Sequence, residues 1–250
     1  MTSAPFIWTM TLTGADDAVG PEALGEISAQ SPFIEWGILF SPSGEGLERF
    51  PTRQWRDKLS KVSLAKSAHL CGKAVSQFIQ GDAALMDELD GYGRIQLNFS
   101  ARRMRPEARE ALALRIEAFA HKPIIVQLHP GNADFWPRLA AAKHVQALFD
   151  CSGGKGIAPS SWESPLPGIE CGYAGGLDPL ALENQILSIQ EACQGRRAWI
   201  DMESLLRTEA SFDLNLAKAA AAATAKFAAI PSAASLMGDA QLLFARRLGS

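Results

Sequence analysis

The chain has 250 residues, 47% of them hydrophobic and 20% charged, with a formal net charge of -3. That hydrophobic share excludes wholesale disorder, and the slight negative balance excludes a polybasic nucleic-acid binder. No Lys or Arg precedes the short apolar run Phe6, Ile7, Trp8, and no window approaches the ~20 uninterrupted apolar residues of a membrane span, so a cytoplasmic protein is expected.

Eight β-type runs recur along the chain, at 6–12, 33–40, 62–70, 94–99, 123–128, 144–149, 168–174 and 198–202. Helical apolar spacing fills the intervals, as at 106–120 (Leu112, Ile116, Phe119) and 179–193 (Leu182, Ile186, Ile189). Pro21 and Pro106 are placed to open helices, and Asp178-Pro179 reads as an N-cap followed by a first-turn proline. The Ala-rich stretch 217–229 is strongly helix-forming and supplies an eighth helix, ended by Pro231. Parallel strands need long, usually helical crossovers, so this alternation predicts an α/β fold. Eight units in 250 residues fit a single-domain (β/α)8 TIM barrel over about 6–230. The tail, about 237–248, predicts a short extra C-terminal helix through Leu242, Leu243, Phe244 and Leu248, covering one barrel end. Oligomeric state is left open. Cys71, Cys151, Cys171 and Cys193 form no CxxC and no Cys/His pairing, so neither a metal site nor a disulfide framework is expected.

In such a barrel the reacting groups stand where strands end and βα loops begin. Those positions hold Thr11, Thr13 and Asp16 in the first unit, Glu45 and Arg49 in the second, His69 and Cys71 in the third, Asn98 in the fourth and His129 in the fifth. Asp150 ends the sixth run, and Asp201, Glu203 and Ser204 end the eighth. Gly153-Gly154-Lys155-Gly156 and Gly175-Gly176 follow the sixth and seventh. Paired glycines let backbone N–H groups approach an anion, and Lys155 adds charge, so these loops predict a phosphate dock. Cys71 is a candidate base if a nearby cation stabilises its thiolate. Asp201 and Glu203 lie two residues apart on one strand face, and carboxylates held close drive their proton affinities apart, giving acid and base from one residue type. His129 reads either as a site residue or as a turn anchor, and Arg102, Arg103 and Arg105 as a solvated loop face or a grip on an anionic substrate.

Taken together, Leu148-Phe149-Asp150 with the Gly-rich loop and Trp162, Ala174-Gly175-Gly176-Leu177-Asp178-Pro179, and Ile200-Asp201-Met202-Glu203-Ser204 resemble the phosphoribosylanthranilate isomerase family. Trp36-Gly37-Ile38-Leu39-Phe40 with Arg49-Phe50-Pro51, Ile95-Gln96-Leu97-Asn98 and Thr13-Gly14-Ala15-Asp16 extend the likeness over roughly residues 6–227. The resemblance implies an Amadori-type aldose-ketose isomerisation of a phosphorylated sugar derivative, as in tryptophan biosynthesis, with no cofactor or metal. It places the general acid on Asp150, the phosphate on the backbone around Gly154, Gly156, Gly175 and Gly176, and the arginine near the aromatic acid on Arg49. The chain departs from the family pattern in four places, two of them being Asn98 where the fourth strand has His and Ser160-Ser161-Trp162 in place of Phe-Asp-Trp. Aligning on Thr13 sets Met10 where that family has its catalytic Cys, and Glu203-Ser204-Leu205 replaces Ser-Ser-Gly. The expected partner is therefore a small anionic phosphorylated substrate, with neither nucleic acid nor membrane involved. The alternatives are a diverged isomerase or lyase in which Cys71 or Glu203 does the proton chemistry, and a non-catalytic phosphate-binding or assembly barrel.

Overall fold

The computed structural model describes residues 4–150 and 156–229. Strands β1 (Ile7–Thr13), β2 (Ile34–Phe40), β3 (Lys66–Cys71), β4 (Arg94–Asn98), β5 (Ile124–Leu128), β6 (Val145–Asp150), β7 (Cys171–Ala174) and β8 (Ala198–Met202) are parallel and close into one barrel in chain order. Helices α1 (Pro21–Gln30), α2 (Arg53–Leu59), α3 (Lys73–Gln80), α4 (Ala83–Leu89), α5 (Pro106–Ala118), α6 (Trp136–Leu139), α7 (Leu182–Cys193) and α8 (Leu214–Thr224) fill the connections. The expected TIM barrel is present, and the expected tail helix lies outside the described residues. Among the described residues no helix is long and apolar enough to cross a membrane.

Three local differences from the sequence expectation have plain causes. Residues 62–64 do not extend β3, because Lys61 and Val62 fold back on Lys58 and Leu59 through backbone hydrogen bonds that close the end of α2. Asp178 caps a tight turn, bonding the N–H of Leu180 at 2.9 Å, so α7 starts at Leu182 rather than Pro179. Residues 156–170 between β6 and β7 carry no helix, and Pro159, Pro165 and Pro167 account for that, since each removes a backbone donor and blocks the preceding turn.

Side chains alternate along each strand between the helix layer and the barrel interior. Met10 and Leu12 join the apolar layer between strands and helices, fully buried. Thr11 and Thr13 face inward, where they bond Glu35 and Asp201. Low in the barrel, Arg94 is held between the rings of Trp8 and Trp199, 4.8 Å from each centroid. Two hydrogen bonds of 2.6 and 2.9 Å join it to Glu35, and others reach Gln146 and Thr11. Burial opposes ionisation of Glu35, but the Arg94 guanidinium outweighs it and holds the carboxyl below its ordinary value. The interior is crowded enough to demand glycine at two strand positions. A Cβ on Gly37 would lie 2.1 Å from Thr13 Oγ1, and one on Gly172 2.1 Å from the Trp199 ring.

Candidate active site

The C-terminal ends of β4 to β8 surround a cleft of about 170 Å³. Gln96, Gln127 and Asp150 stand on one side and Asp201 and Glu203 on the other, with Gly156, Gly175, Gly176 and Ser204 at the rim. In register, Asp150 opposes Ala174 and Ala174 opposes Asp201, so the two aspartates flank β7 at one level of the barrel. Two inter-strand spacings put their backbones roughly 9–10 Å apart, leaving room for a small molecule between the side chains.

Each carboxylate has its own setting. Asp150 is 3% exposed and accepts from Gln127 Nε2 at 3.0 Å. Asp201 is also buried and accepts from the Thr13 hydroxyl at 2.8 Å. Burial pushes the Asp201 carboxyl up to about 7; the Thr13 bond opposes that rise, and repulsion from Glu203 and Asp150 adds to it. Glu203 is raised as well, by burial first, with Arg49 pulling the other way. Arg49 reaches Glu203 Oε1 across 2.9 Å. Its backbone is held in the left-handed region, φ 69°, by a hydrogen bond from its N–H to Asp16 Oδ2 at 2.7 Å. The same Asp16 oxygen accepts from Arg207 at 3.0 Å, and Arg207 also donates to Gly14 O and Glu48. Arg207 thus ties the loops after β1, β2 and β8 together.

β1 carries no Cys, so the departure noted at Met10 stands, and strand parity shows where that side chain goes. Met10 points into the helix layer, and the β1 side chain that faces the carboxylates is Thr13. Cys71 lies beside the site, accepting from Asn98 Nδ2 at 3.3 Å, but among the described residues no cation stabilises it. Burial pushes its thiol up to about 11, so the thiolate expected of a base is scarce near neutral pH. His69 bonds Ser67 at 3.0 Å and burial drives its pKa down to about 3, leaving it neutral. His129 anchors the turn after β5, taking the N–H of Gly131 on Nδ1 and donating from Nε2 to Phe99 O. Arg102, Arg103 and Arg105 are exposed outside the cleft lining.

Of the glycine loops, Gly153, Gly154 and Lys155 lie outside the described residues. Gly156, Gly175 and Gly176 all have positive φ, the conformation that favours glycine. Gly176 has a packing reason too, because a Cβ there would meet the Ala158 nitrogen at 2.1 Å. A Cβ on Gly156 would lie 3.1 Å from that of Ser204, so the rim is tightly built. Among the described residues no group of three or more His, Cys, Asp and Glu side chains is arranged to hold a metal. Sequence reasoning did not single out Gln127, Gln96 or Arg207. A signal existed for two of them, since polar residues two apart in apolar strands, as in Gln96 and Asn98, mark an inward face.

No family model matches the sequence, and no curated protein matches it. The fold is similar to TrpF from Jonesia denitrificans, with a TM-score of 0.56 and 13% identity over 88% of this chain and 98% of that one. It is similar also to phosphoribosyl anthranilate isomerase from Thermococcus kodakaraensis, with a TM-score of 0.52, 13% identity and the same 88% and 98% coverage. The spore coat polysaccharide biosynthesis protein spsE of Bacillus subtilis matches with a TM-score of 0.55 and 10% identity, over 88% of this chain and 68% of that one. At such identities the likeness shows the barrel alone, and one barrel hosts many chemistries.

Proposed function

We propose that the chain is a barrel enzyme catalysing an Amadori-type aldose-ketose isomerisation of a phosphorylated sugar derivative, with Asp150 as general acid and Asp201 as general base. The observation that carries this reading is the pair of buried aspartates flanking β7, one of them with its proton affinity raised to about 7. Ring opening needs a proton delivered to the ring oxygen, and the shift from aldose to ketose needs a proton taken from C2. A base that titrates near the working pH combines a usable ionised fraction with strong proton affinity. Thr13 orients Asp201, Gln127 orients Asp150, and Arg49 holds Glu203 at the mouth. The rim glycines and Ser204 are the proposed phosphate dock, completed by Gly153, Gly154 and Lys155. A thiolate base at Cys71 is disfavoured by its raised pKa.

Growth of a tryptophan auxotroph lacking phosphoribosylanthranilate isomerisation tests the narrowest form of the reading. Rescue by the wild-type chain and its loss with Asp150→Asn support it. Failure of the wild type, when expressed and soluble, removes that substrate and directs the search to other phosphorylated aldose derivatives. A barrel without catalysis predicts no turnover on any of them.

A further inference from the structure

Gln96 stands on the inner face of β4, 3% exposed, and lines the cleft beneath the carboxylates. Its Nε2 donates to Asn98 Oδ1 at 3.0 Å, and Asn98 passes the chain on to Cys71 Sγ. The other end of the amide is different, because Oε1 is buried with no hydrogen-bond partner among the described residues. A buried carbonyl left without a donor penalises the empty protein, and the penalty is lifted when something supplies one. The groups around it make the choice of donor specific. Asp150 and Asp201, on the neighbouring walls, are suited to moving protons, so the inert acceptor below them is suited to reading position.

We infer that Gln96 is the specificity-determining residue of the cleft, its Oε1 accepting a hydrogen bond from one hydroxyl or N–H of the bound sugar derivative. This rests on the phosphorylated-sugar reading above. A site that pairs a substrate hydroxyl discriminates strongly against the analogue lacking it, because the buried partner is then stranded.

The test compares wild type with Gln96→Met, which keeps the length and removes the carbonyl, using ribose 5-phosphate and its monodeoxy analogues in calorimetric titrations. Wild type is expected to bind one monodeoxy analogue about tenfold or more weakly than the parent, and Gln96→Met to bind the two equally. Melting of the ligand-free proteins is the second arm. Removing a stranded acceptor raises the melting temperature of Gln96→Met by about 2 °C or more, since the half-buried Asn98 can be hydrated instead. Equal discrimination by both proteins, or a lower melting temperature for the variant, overturns the inference. If ribose 5-phosphate does not bind wild type, the phosphorylated-sugar reading fails, and the melting arm alone decides whether Oε1 is a stranded acceptor.

Discussion

Asp201 couples chemistry to stability. Its carboxyl is raised to about 7 in the folded chain and returns to an ordinary value near 3.9 on unfolding. Between those values the native state binds more protons than the unfolded one, so stability falls as pH rises through this window and stays low above it. Asp201→Asn keeps an acceptor for Thr13 and removes the charge. It should therefore stabilise the protein at pH 8 by up to ~4 kcal/mol and change little at pH 4, as read by urea denaturation at the two pH values. The same substitution should abolish turnover, the usual conflict between a strained site and a stable one. Cys71→Ala makes the opposite case. Its thiol is held protonated by burial, so turnover should stay within about threefold of wild type, at the cost of ~1 kcal/mol of stability for the lost packing. A loss of a hundredfold or more would return the thiol to the mechanism.

At the scale of elements, position along a strand was legible and facing only in part. Asp150, Asp201 and Glu203 could be placed at strand ends because polar residues there interrupt apolar runs. The facing of Met10 toward the helix layer was not readable, because motif alignment fixes order along the chain without fixing which face a strand presents, and a one-residue slip moves a side chain to the other face. Helix starts at Pro21 and Pro106 were readable from the fixed φ of proline. The start of α7 was not, because the Asp178 side chain bonds forward into a turn and delays the helix. Glycine loops were legible as turns, whereas their packing partners come from distant segments, as with Gly176 against Ala158. Gly172→Ala tests such a partner. The added Cβ meets the rigid Trp199 ring, so a loss of about 3 kcal/mol is expected, largely recovered in Gly172→Ala with Trp199→Leu.

For the whole molecule, the barrel count was legible because eight runs at near-even spacing leave little chain for anything else. The polar interior was not. Glu35 and Arg94 lie in different runs, and only barrel closure brings them into a buried pair between two tryptophans. Arg94→Met strands a buried carboxylate and should cost about 3–5 kcal/mol, while Arg94→Met with Glu35→Leu should recover most of it. Guanidinium melts of both variants check this. If the single change is silent, the pair does not organise the barrel floor.

The central claim is that Asp150 and Asp201 move protons to and from one bound sugar derivative. Release of the C2 proton of a phosphorylated aldosylamine in heavy water, with deuterium entering C1 of the ketose formed, followed by NMR, tests it most directly. Wild type should release that proton, with a rate that rises as pH passes through about 7 and Asp201 ionises. Asp201→Asn should lower it by a thousandfold or so, and Asp150→Asn should slow ring opening to a similar degree. Proton release that survives both substitutions, or a wild-type protein that binds the compound and never releases the C2 proton, would contradict the account.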